Sequence, residues 1–271
     1  MSKFVGIDFS GAARPWQPVV YRPTVWLAVA EDDGYGTRLK TLMPVQSLQG
    51  DEQPFDRLVR FLANGDFEVA AIDAPFALPL VHIPSGRHSE LLRQVRLLPN
   101  APDRPFPRGA AIVALGEAVA LKTEAKPLRL TERYWASRGV NVRSTMWCGA
   151  RGGAPFTAAC LRLIERSGRP LWPWERRQPG RLAEAFPAAQ LRQWGLPDRG
   201  YARLPAFKVR AMIIDGLRKR IDLTAAQIET ALNCSDALDA IIAVFAAIAV
   251  SYQSVVGSTS ANEEGLISIA A

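Results

Sequence analysis

Two short apolar runs that each end in an aspartate limit what this chain can fold into. Residues 4–7 lead into Asp8, and residues 68–72 lead into Asp73. Between them, residues 24–30 and 38–45 read as two strands, with Gly34 and Gly36 predicting a hairpin turn. An amphipathic helix follows. Phe55, Leu58, Val59 and Leu62 recur at i, i+3, i+4 and i+7, Pro54 suits the first turn, and Gly65 ends the pattern. A helical crossover is what parallel pairing of the first and fourth strands requires. If those two strands are parallel neighbours in an α/β sheet, Asp8 and Asp73 emerge together at its carboxyl edge, the edge where open sheets place their sites.

The rest of the chain is less regular. Residues 80–180 are rich in Arg and Pro and contain Trp135, Trp147, Trp172 and Trp174. That aromatic content excludes disorder, so the segment reads as an insertion within a single domain spanning 1–271. It is expected to hold a helix over 111–125, stopped by Pro127. A second is expected from Thr157 to about Ser167, with Thr157 as N-cap and Gly168 just past its end. Residues 181–186 give a fifth strand, and 207–221 a helix with Val209, Met212, Ile213 and Leu217 on one face. Thr224 and Gln227 form a capping-box pattern. Residues 236–252 form an alanine-rich apolar helix that reads as buried against the sheet. Residues 264–269 suggest an edge strand.

Charge is unevenly spread. The chain of 271 residues carries a formal net charge of +7. Residues 80–180 hold 17 Lys/Arg against 7 Asp/Glu, a net of +10, and the remainder is acidic at −3. An anionic partner fits such a segment, nucleic acid (DNA or RNA) first. Cys148, Cys160 and Cys234 are odd in number and widely spaced, which argues against a disulfide framework and a zinc site and fits a reducing cytoplasm. The start of the chain runs directly into strand-like sequence, so no signal peptide is expected, and the apolar run 240–250 is too short to span a bilayer.

The carboxylates carry the chemistry. Alternation places Val69, Ala71 and Asp73 on one face, and an ionised Asp continuing an apolar face needs a partner. Asp236 and Asp239 stand i, i+3 on a helix, with Cβ atoms roughly 5–6 Å apart, and repel unless a cation joins them. Taken singly, Asp236 favours the helix dipole and Asp8 forms a turn before Ser10 and Gly11. Together, two at adjacent strand ends and two on one helix, they point to divalent metal. Oxygen-only ligands suit Mg²⁺ or Mn²⁺.

GIDFSGA at 6–12, AIDAPFALP at 71–79, EAFP at 184–187 and SDALDAIIA at 235–243 resemble the motifs of domain-of-unknown-function family 429, whose members are predicted RNase H-like nucleases. The order of acids also resembles that of the RuvC-type resolvases, although those usually carry a glutamate on strand four where this chain has the shorter Asp73. The resemblance implies an RNase H-like fold: a five-stranded mixed sheet flanked by helices, with a large helical and irregular insertion between strands 4 and 5. It also implies a metal site of Asp8, Asp73, Asp236 and Asp239, acting in a metal-dependent nuclease. Asp8 would bridge two metals, Asp73 and Asp239 would complete one site each, and Asp236 would be a further ligand or base. Glu184 reads either as another catalytic ligand or as an anchor for the helix after Pro187.

Two other classes compete with the nuclease. An actin-like ATP-dependent phosphotransferase shares the topology but needs glycine-rich phosphate and adenosine loops, for which Gly152–Gly153 are too little. A non-catalytic nucleic-acid-binding protein of the same fold is the other. Ser10 lacks the surroundings of a hydrolase nucleophile. His82 and His88 lie in a Pro/Gly-containing loop and read as solvated. Lys208, Arg210, Arg218, Lys219 and Arg220 read as a solvated helix face or as phosphate contacts, and the insertion's tryptophans as core or as base-stacking platforms.

Overall fold

The computed structural model describes residues 1–203, 205–257 and 263–271. β1 (Ser2–Asp8), β2 (Trp26–Asp32) and β3 (Thr37–Pro44) form an antiparallel meander. α1 (Pro54–Asn64) crosses over to β4 (Val69–Asp73), which pairs parallel with β1. Helices α2 (His88–Leu97), α3 (Gly109–Val119), α4 (Leu130–Ser137) and α5 (Ala154–Ser167) fill the connection to β5 (Arg181–Glu184), which is parallel to β4. Then come α6 (Pro187–Gln193), α7 (Phe207–Leu217), α8 (Ala225–Asn233) and α9 (Ser235–Ser251). A small ribbon, β6 (Val255–Val256) with β7 (Ile269–Ala270), ends the chain. The main sheet has the order β3-β2-β1-β4-β5. It is the five-stranded mixed sheet that the family resemblance implies, flanked by helices and compatible with an RNase H-like fold.

Strand alternation sorts the two faces. Val5, Ile7, Ala70, Ile72 and Leu182 point to one side, where Phe55, Leu58 and Leu62 of α1 meet Leu161 and Ile164 of α5 in one buried cluster. The segment between β4 and β5 therefore supplies core to that face. On the other side, Phe4, Ala28, Val69, Ala71 and Ala183 pack under Leu238, Ile241 and Val244 of α9. Small residues under an alanine-rich helix allow a close approach. At Gly6 a Cβ would lie 2.2 Å from the Ala240 carbonyl oxygen and 2.5 Å from the Val244 nitrogen. Gly6 is thus required by proximity to α9, and its extended strand conformation asks nothing special of it.

Several boundaries differ from expectation. α5 begins three residues before Thr157, because Pro155 is tolerated in a first turn and leaves Thr157 inside, where its hydroxyl donates to the Gly153 carbonyl at 3.0 Å. Gly168 does adopt the left-handed conformation at the helix end, with φ of 61°. α3 stops at Val119. Leu121 is exposed, so a longer helix would bury no further apolar face. The expected edge strand reduces to one parallel bridge, Glu184 with Ile267, followed by β7. The Thr224–Gln227 capping box is present. Among the described residues no single helix is long and apolar enough to cross a membrane. α8 and α9 reach that length only together, and they are bent by 117°.

Candidate metal centre

Asp8 and Asp73 are register partners at the carboxyl ends of β1 and β4. Both continue the faces that run under α9: Phe4, Gly6, Asp8 on one strand, and Val69, Ala71, Asp73 on the other. α9 enters from above, and its first turns carry Asp236 and Asp239. One oxygen each from Asp8, Asp73 and Asp239 lies within 4.8 Å of the other two. Asp236, one turn earlier, lines the same cleft, half-buried, but stands outside that close trio.

Three carboxylates this close repel one another, and the surroundings do little to offset it. Asp8 is only 8% exposed. Among the described residues, neither Asp8 nor Asp73 accepts a side-chain hydrogen bond, and none of the three is in an ion pair. Burial, then the charges of Asp239, Asp236 and Asp73, push the Asp8 carboxyl well above its ordinary range. Burial raises Asp73 to about 7, opposed by the Arg143 guanidinium and assisted by Glu184 and Asp236. Burial, with Asp73 next, also raises Asp239 far above the usual carboxylate value, and burial raises Asp236. A divalent cation would relieve all of this at once. The donor set, carboxylate oxygens alone at the mouth of a polar cleft, fits a hard ion such as Mg²⁺ or Mn²⁺.

Glu184 is placed differently. Its ladder partner on β4 is Ile72, one residue short of Asp73, so pleat alternation turns it to the opposite face of the sheet. There it is 3% exposed and fully engaged. Arg129 donates to both its oxygens, at 2.5 and 2.7 Å, and the Phe76 amide donates at 3.0 Å. Arg129 also pairs with Glu132 at 2.9 Å, and its Nη1 donates to the Glu264 carbonyl. This buried network ties the loop after Asp73 to α4 and to the end of the chain, and both lone-pair-bearing oxygens of Glu184 are already occupied.

Two cleft residues had no signature in the sequence. The Tyr201 hydroxyl donates to Asp239 Oδ1 at 2.9 Å, and Arg210 holds the Tyr201 carbonyl at 2.6 Å. Arg143 lines the same cleft. Both sit on irregular loops, where no periodicity marks a residue's direction. Arg210 itself departs from expectation. It is 1% exposed, and its guanidinium donates to the Leu232 and Tyr201 carbonyls, so it is neither solvated nor available to a phosphate. The histidines are also buried. His88 is 3% exposed, bonds the Phe76 carbonyl through Nε2 at 2.7 Å and stacks on Trp174 with ring centroids 3.6 Å apart. Burial lowers its pKa to about 4, so it is neutral at pH 7. The solvated reading fails because both rings are buried against the Gly116 and Phe76 carbonyls, His88 also against Trp174. Of the insertion's tryptophans, Trp135 is core, and Trp147, Trp172 and Trp174 are half-buried.

The whole cleft encloses about 940 Å³. Fold and site together define an α/β protein with a mixed five-stranded sheet and a carboxylate trio at the carboxyl edge of its central strands. The chain belongs to the family described as "Protein of unknown function (DUF429)", whose model matches residues 6–261. No curated protein and no solved structure matches it.

Proposed function

We propose that this protein is a metal-dependent phosphodiester hydrolase acting on nucleic acid, a nuclease, with Mg²⁺ or Mn²⁺ held by Asp8, Asp73 and Asp239. The observation that carries the reading is the approach of those three carboxylates, within 4.8 Å and without a cationic partner among the described residues. Divalent cations in such a setting supply Lewis-acid stabilisation of the charge that develops on phosphoryl oxygens. The chain's own groups do the rest. Tyr201 orients Asp239 by donating to Oδ1. Asp73, whose carboxyl is raised to about 7 in the metal-free site, gives up its proton as a cation binds, so metal binding is expected to weaken as pH falls below neutrality. Asp236, at the cleft edge, is placed to serve as a further ligand or base. Exposed Arg143, Arg199 and Arg203 on the rim support an anionic substrate. Three free cysteines support a reducing, cytoplasmic setting.

The test pairs binding with activity. Calorimetry should detect Mn²⁺ binding to the parent and a marked loss in Asp8→Asn and Asp239→Asn. Mixed single- and double-stranded DNA and RNA should be cleaved with Mn²⁺, not with EDTA, and both variants should lose that cleavage by orders of magnitude while staying folded. No Mn²⁺ binding at saturating concentration would end the metal reading. Mn²⁺ binding without cleavage of any of these substrates would leave a metal-binding protein and remove the nuclease.

A further inference from the structure

The basic segment between β4 and β5 is mostly spent on its own structure. Arg93 pairs with Glu90, Arg104 with Asp103, Arg129 with Glu132 and Glu184, Arg162 with Glu165, and Arg166 with Asp56. Arg169 donates to the Leu62 and Gly65 carbonyls. Two cations of the segment line the cleft, Arg129 and Arg143, and Arg129 is locked in its buried network.

Arg143 is different. Among the described residues its guanidinium makes no ion pair and no hydrogen bond. It lies over the Phe156 ring, 5.0 Å from the centroid, a contact that favours this position of the planar group without using its donors. Phe156 is the third residue of α5, so the positive end of that helix dipole lies in the same wall. Arg143 is close enough to Asp73 to act on its charge, yet forms no salt bridge with it. An exposed guanidinium with free donors, lining the same cleft as carboxylates it does not touch, is available to an anion that enters the cleft beside them.

Resting on the hydrolase reading, we infer that Arg143 is the phosphate anchor of this cleft, gripping a non-bridging oxygen of a substrate phosphate ester beside Asp8, Asp73 and Asp239. Its planar fork suits phosphate bidentately, so lysine would replace the charge but not the geometry. The phosphate could belong to a nucleic-acid backbone or to a free nucleotide; the recognition chemistry is the same.

The experiment measures anisotropy of fluorescein-labelled single-stranded 12-mers of DNA and RNA in Ca²⁺ across a NaCl series, with adenosine monophosphate titrated separately by calorimetry. Arg143→Ala should weaken binding about tenfold. It should also lower the slope of log K against log [NaCl] by about one. Arg143→Lys should keep the slope and recover only part of the affinity. Arg177→Ala, an exposed cation outside the cleft, should match the parent. Mn²⁺ affinity should survive in Arg143→Ala, which separates anchoring from metal binding. If the parent binds oligonucleotide and Mn²⁺, and Arg143→Ala matches it in affinity and slope, the anchor falls and the hydrolase reading stands. A parent that binds neither metal nor any phosphate probe overturns both. Arg143-dependent binding of adenosine monophosphate alone supports the anchor and removes nucleic acid as its source.

Discussion

Asp8 and Asp73 leave the sheet side by side, as register partners on adjacent parallel strands, and Asp239 closes on them from a helix that crosses above. No turn or loop intervenes in placing any of the three. Their spacing is set by the ladder between β1 and β4 and by the packing of α9 on both.

That crowding makes metal-free stability depend on pH. The folded-state pKa of Asp73 is raised to about 7, and burial with the neighbouring carboxylates holds Asp8 and Asp239 well above their ordinary range. A carboxyl raised on folding favours the folded state below its unfolded pKa, about 3.9, and that contribution disappears as pH climbs through the folded value. In EDTA, urea unfolding should therefore show the parent less stable at pH 8 than at pH 5, by on the order of 2–4 kcal/mol. Asp73→Asn should reduce the difference without abolishing it, since burial still raises Asp8 and Asp239, and Mn²⁺ should restore stability at pH 8, because protons and metal compete for the same oxygens. Equal stability at the two pH values in EDTA would mean the carboxylates are not under strain.

Tyr201 is expected to act on the centre through Asp239. Its donated hydrogen bond favours the ionised form of that carboxylate and fixes its direction. Tyr201→Phe should weaken Mn²⁺ binding about tenfold or more, as loss of a partner to a ligand usually does. The loss should be largest near neutral pH, where the raised Asp239 most needs help to ionise. Calorimetry at pH 7 and pH 9 reads both effects. An unchanged affinity at pH 7 would reduce Tyr201 to cleft lining.

Glu184 is expected to hold structure rather than metal. Glu184→Gln keeps the buried Arg129–Glu132 pair but turns an amide N–H₂ toward donors that Glu184 accepts from, and losing such a charge-assisted hydrogen bond costs about 1.5–3 kcal/mol. Urea unfolding in EDTA should show that loss. Mn²⁺ affinity per folded molecule should stay within a few-fold of the parent, because both oxygens are taken by Arg129 and Phe76. A stable variant that no longer binds Mn²⁺ would return Glu184 to the ligand set.

The sequence made the frame legible because the frame is periodic. Alternation in residues 69–73 and the helical crossover of α1 suffice to bring Asp8 beside Asp73, and the interruption of an apolar helix singles out Asp239. Glu184 shows where that reasoning stops. Whether the last residue of a strand faces one side or the other turns on a single step of register with its neighbour, and register is a tertiary fact. Tyr201 and Arg143 lie on loops, where direction is set by contacts such as Arg210 with the Tyr201 carbonyl and Arg143 over Phe156. The histidines misled because Pro and Gly around them suggest solvent, whereas the loop is pinned by His88 stacking on Trp174.

The contact at Gly6 carries one more implication. At this one crossing backbone meets backbone, so no side chain there can be trimmed to let α9 come closer to β1. Gly6 lies two residues before Asp8, and the Ala240 carbonyl it meets directly follows Asp239, so the approach of the two backbones that bear these acids has a floor set beside them. At that floor the gap between the acids is tuned by arm length, one methylene at a time, and the aspartate at position 73 is one setting of that dial.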